Sequence, residues 1–99
     1  MRQYYWPRLA PRVRTLDAYE RAFAGLGYSP CISIAVESGL EKVAIFAAGD
    51  RPLHAARQLL DGMWTSKLGQ EVDVRHELKA IEGQDYGVVA RILARPRPA

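Results

Sequence analysis

The stretch HAARQLLDGMWTSKLG, from His54 to Gly69, constrains the fold more than any other part of the chain. Asp-Gly between two apolar runs is the strongest local signal for a β-hairpin, because a two-residue type I′ turn needs positive φ at both central positions. A turn at Asp61-Gly62 fixes the register, with Leu59 opposite Trp64, Gln58 opposite Thr65, Arg57 opposite Ser66 and Ala56 opposite Lys67. Side chains alternate between the faces of a strand, so Ala55, Leu59, Trp64 and Leu68 then form a core face that also carries Arg57 and Ser66. His54, Gln58, Thr65 and Lys67 surround the small Ala56 on the other face, which predicts a small polar pocket. The plainer reading is a solvated face of a half-exposed antiparallel sheet. In this register Ser66 points away from His54, and only a bulge would bring the two together.

The rest of the chain supplies the elements that such a hairpin needs. Thr15 is a good N-cap, and Leu16, Tyr19, Phe23 and Leu26 recur at helical spacing before Gly27. In CISIAVESG, the residues Ile32, Ile34 and Val36 alternate as in a short strand, and EKVAIFAAG reads as a buried strand ended by Gly49-Asp50. Val74, Leu78 and Ile81 share one helical face, predicting a second helix from Glu71 to Gly83 with His76 on its solvent side. YGVVARILA favours a last strand. Together these predict a single small α+β domain with a mostly antiparallel sheet of four to five strands and two helices. The boundaries fall at residues 1–14 for a basic aromatic arm, 15–94 for the domain and 95–99 for a basic tail.

Charge follows the same division. The net charge of +3 hides basic ends, with Arg2, Arg8, Arg12 and Arg14 at one and Arg95 and Arg97 at the other, around an acidic body. A nucleic-acid reading therefore rests on the arm, where Tyr4, Tyr5 and Trp6 would stack on bases and the arginines would neutralise phosphates. The alternative, aromatics packed on the domain edge and solvated arginines, is favoured because the body is acidic and no RNA-binding motif occurs. Pro7, Pro11 and the arginines interrupt any apolar run of the length a signal peptide or membrane span requires, so a cytoplasmic protein is expected. Cys31 is the one cysteine. It forms no internal disulfide and is either a small core residue or a reactive thiol. No metal or other cofactor is expected, because Cys31, His54 and His76 share no short ligand spacing.

The segments GYSPC, ESGLEKVAIFA, HAARQLLDGMWTSKLG, VRHEL and YGVV occur in this order, and over about Leu16 to Leu93 the chain resembles a family of short, uncharacterised bacterial proteins, a domain of unknown function. That resemblance marks Cys31, His54, Gln58, Trp64, Ser66, Lys67, His76 and Tyr86 as motif positions without giving them roles. A Cys followed by a strand, then a strand opening with His and a tight hairpin, is also similar to the core of papain-like cysteine peptidases and amidases. The similarity implies Cys31 as nucleophile and His54 as its base, with Gln58 or Lys67 stabilising negative charge during attack on an amide or ester. The chain departs from that pattern where ISIAV prefers a strand to a helix, and no Asn or Asp stands ready to orient His54, leaving Gln58 or Thr65 for that part. The competing reading is a non-catalytic module in which His54, Gln58, Thr65 and Lys67 bind a small anionic ligand or a protein partner.

Overall fold

The computed structural model describes residues 15–67, 73–83 and 86–98, apart from the side chains of Lys67 and Asp73. The basic arm, Leu68 and the Lys67 side chain lie outside that description. One helix, α1 (Leu16–Ala24), precedes six strands: β1 (Ser29–Pro30), β2 (Leu40–Ala48), β3 (Arg51–Gln58), β4 (Trp64–Lys67), β5 (Asp73–His76) and β6 (Val88–Pro96). They form one sheet in the order β1-β6-β2-β3-β4-β5, and every neighbouring pair is antiparallel. No helix among the described residues is long and apolar enough to cross a membrane.

Helix α1 forms where the sequence predicts it. The Thr15 hydroxyl accepts from the Ala18 N–H at 3.1 Å, which satisfies one of the amides left free at a helix start. At the other end Gly27 takes φ 96°, and the Tyr28 N–H reaches the Phe23 carbonyl, so the last carbonyls are closed by a left-handed turn. Leu16, Tyr19 and Phe23 pack with Tyr28, Val43, Ile45, Ala47 and Leu93. This is the core on the helix side of the sheet. The last strand reaches Pro96, and Arg95 on it pairs with Glu41 of β2.

Three expectations are corrected. The segment from Cys31 to Gly39 is not a strand. It is a strap that crosses the sheet's second face, because sheet side chains capture its carbonyls. Lys42 Nζ donates to Ser33 O at 2.8 Å, to Ala35 O at 2.7 Å and to Glu37 Oε1 at 2.5 Å, and Gln58 Nε2 donates to Ile34 O at 2.8 Å. With its backbone turned inward, the strap presents Ile32, Ile34 and Val36 to solvent, Ile32 at 102% exposure.

The second predicted helix is absent. Residues 73–76 instead pair with β4, and a turn over residues 78–81 follows. Val74, Leu78 and Ile81 have helical spacing because a strand and a turn in succession bring them to one side. Leu78 and Ile81 pack with Ala44, Phe46, Ala56 and Trp64 in a second core. The sheet thus has one strand more than the upper expectation, and the fold one helix fewer.

The third correction concerns the hairpin. Its loop has three residues, Leu60, Asp61 and Gly62, closed by the Leu59 N–H on the Met63 carbonyl at 2.7 Å. Only Gly62 has positive φ, at 90°, which excludes a type I′ turn and fits a type I turn followed by a left-handed residue. Asp61 keeps ordinary φ because its carboxylate works locally: Oδ1 accepts from the Met63 N–H at 2.9 Å and Oδ2 binds Arg75 of β5 at 2.5 Å.

Candidate functional site

One extra loop residue reverses the faces of β4. Gln58 now opposes Trp64 and Arg57 opposes Thr65, so Trp64 and Ser66 share the second face with His54, Ala56 and Gln58. Thr65 is buried on the helix side instead. In turn β5 places His76 opposite Trp64, which brings it to the second face too. There it is buried, at 6% exposure, not on the solvent side.

The predicted site residues therefore separate. Cys31 donates its N–H to Ile92 O of β6 at 2.8 Å, and its thiol faces Ser33 O at 3.4 Å. From there β6 and β2 intervene before β3, so at normal strand spacing β1, which ends next to Cys31, lies about 14 Å from the strand carrying His54. Gln58 spends its amide on the strap, and Thr65 lies on the opposite face. No described residue brings the Cys31 sulfur to the His54 ring.

What does assemble is a different set. His54 lies between two rings, its centroid 5.7 Å from Phe46 and 5.0 Å from Tyr86. Tyr86 precedes Gly87, whose backbone exchanges reciprocal hydrogen bonds with Gly83. His54 Nε2 is buried and has no hydrogen-bond partner among the described residues. Beside it Ser66 Oγ stands 2.6 Å from His76 Nε2, and His76 Nδ1 stands 2.6 Å from the Glu77 carbonyl oxygen. Among the described residues no group of three or more His, Cys, Asp or Glu is arranged to hold a metal ion.

Burial, helped by the charge that His76 would carry, pushes the His54 pKa from 6.5 down to about 4. The ring is therefore neutral at physiological pH. The unfolded chain takes up the proton first as pH falls, so the stability tied to neutral His54 is complete above about 6.5 and lost on the way down to about 4. Urea-unfolding free energies measured across this range should fall with pH, and the slope should flatten in His54→Phe. An unchanged slope in that variant would assign the proton to another group.

A protein-family model matches residues 1–94, almost the whole chain, and its description is Domain of unknown function (DUF7689). The chain belongs to that family. In this chain His54 against Tyr86 and the Ser66–His76 pair bring polar groups to the second face. Comparison with curated proteins and comparison with solved structures each give no match.

Sequence reasoning passes over Ser66 and His76 as partners, although a signal for Ser66 is present. A bulge at the hairpin was the stated condition for bringing Ser66 to the His54 face, and Leu-Leu-Asp-Gly-Met accommodates a three-residue loop as readily as a two-residue one.

Proposed function

We infer that the domain binds a small, uncharged polar molecule on the second face of its sheet, with His54 as the recognising group. The observation that carries this reading is the unpartnered, buried Nε2 of His54. Burying a polar atom without a partner costs about 1–3 kcal/mol, a cost that native folds concentrate at strained or functional sites. The Phe46 and Tyr86 rings on either side add flat apolar surface, the usual lining for one well-placed hydrogen bond. Because the ring is held neutral, an anion gains little from it. A hydroxyl or amide suits it better than the anionic ligand expected from His54 and Lys67 together.

The papain-like reading needs the Cys31 thiol at His54, and the sheet order gives that pair no support. The free thiol of Cys31 fits a reducing, cytoplasmic setting, which we attach to this proposal. A nucleic-acid role would rest on the arm, outside the described residues.

The test combines stability with binding. His54→Phe removes the orphaned atom and keeps a ring between Phe46 and Tyr86, so it should leave the melting temperature equal or raised. In the parent protein, titration with N-methylacetamide should shift the His54 imidazole nitrogen resonances saturably. A clear drop in melting temperature for His54→Phe, or imidazole signals indifferent to the amide, would overturn the assignment.

A further inference from the structure

We propose that Ser66 is a nucleophile activated by His76, and that the second face cleaves small, uncharged carboxylic esters through an acyl-Ser66 intermediate. The proton positions follow from the chemistry of the partners. The Glu77 carbonyl can only accept, so His76 Nδ1, at 2.6 Å from it, carries the hydrogen. A neutral imidazole then presents Nε2 as an acceptor, and the Ser66 hydroxyl at 2.6 Å donates to it. This is the arrangement that lets a histidine take a hydroxyl proton during attack, with a third group holding the ring in the right tautomer. Here a main-chain carbonyl fills the place more often held by a carboxylate.

The strand pairing does not need this bond. Backbone pairing already runs from Trp64↔His76 to Lys67↔Asp73, so the side-chain chain of donors is additional to the ladder. The surroundings limit the substrate. Ala56, Trp64, Phe46 and Leu78 form the adjoining apolar cluster, and His54 on the same face is neutral, which favours a short apolar acyl group without charge.

In the first step Ser66 Oγ adds to the ester carbonyl carbon as its proton passes to His76 Nε2. The carbon–oxygen bond to the leaving alkoxide then breaks, and that oxygen takes the proton from His76. Water completes the cycle: its proton goes to Nε2, its oxygen bonds to the acyl carbon, and Ser66 Oγ departs and recovers the proton. Ser66 has 0% exposure, so acylation requires local opening of the second face, and turnover is slow.

The inference rests on reading the second face as a ligand site, and the experiment separates the two. The full chain is treated with p-nitrophenyl acetate, nitrophenolate release is followed, and the protein is analysed by intact mass and peptide mapping. The expected result is one acetyl group per chain on Ser66, formed in the folded protein. Acetylation should vanish in Ser66→Ala and slow by about 100-fold in His76→Gln. Melting curves identify any variant that fails to fold, and the adduct site in the folded parent then decides alone. Acetylation confined to lysine or tyrosine, Ser66 labelling only after denaturation, or an unchanged rate in folded His76→Gln would each overturn the proposal. If His54 still responds to N-methylacetamide while Ser66 stays unmodified, the ligand site stands without the chemistry. If neither responds, both readings fall.

Discussion

Gly87→Ala is expected to come close to unfolding the protein. Gly87 has φ 75°, a conformation that an L side chain adopts at a cost of about 1–2 kcal/mol. A Cβ added there would also lie against the Ala47 carbonyl, far closer than real Cβ atoms approach backbone. Neither atom belongs to a flexible side chain, so relief requires β6 to pull away from β2. The combined loss should reach roughly 4 kcal/mol or more, the range of the most damaging single substitutions. A domain of this length has about 5–15 kcal/mol in all. Gly49→Ala is the control, because Gly49 also has positive φ, 59°, but nothing within 4 Å of the added Cβ. Urea unfolding of both variants separates the two causes. Equal losses would mean that the close approach to Ala47 carries no weight.

Lys42→Met should be nearly as costly, for a different reason. The Lys42 side chain is completely enclosed, and its ammonium is the donor for two strap carbonyls and the Glu37 carboxylate. Methionine preserves most of the volume and removes every one of those bonds. Ala35 O then loses its donor and Ser33 O keeps only the Cys31 thiol at 3.4 Å, and the expected loss is about 3 kcal/mol, within the cost of breaking a buried polar network. Glu37→Gln should cost under about 1 kcal/mol, since Glu37 is largely solvated and its amide can still accept. Hydrogen exchange should show the strap opening in Lys42→Met before the sheet does. If the strap amides exchange as in the parent, Lys42 is not what holds it.

The parts of the fold that were readable in the sequence are those whose signals are local and redundant. Helix α1 has a cap, a spacing and a glycine that agree, and β2 and β6 combine β-branched content with long apolar runs. The strap failed because alternation of Ile32, Ile34 and Val36 reports an extended chain but not which side meets the core. That choice was made by Lys42 and Gln58, distant in sequence. Residues 73–81 failed because Val74, Leu78 and Ile81 satisfy the helical period by coincidence of a strand and a turn. The hairpin was recognised, and its loop was short by one residue, which sufficed to exchange Thr65 for Ser66 at the site. His54 is singled out by the sequence, and the structure places it on the second face with its Nε2 buried. Its neighbours Ser66 and His76 depend on β4–β5 pairing, which no local pattern announced.

The position of β6 in the sheet has a consequence for how the chain acquires its structure during synthesis. The last of the described strands, β6, is inserted between the first two, β1 and β2, and contributes the fully enclosed Leu93 to the helix-side core. Until it emerges, β2 has one vacant edge and β1 has no neighbour at all. The hairpin of β3 and β4 can form early from local contacts, but the layer beneath α1 cannot close. Folding of that layer therefore waits for β6, and the pairing with the greatest separation along the chain sets its rate.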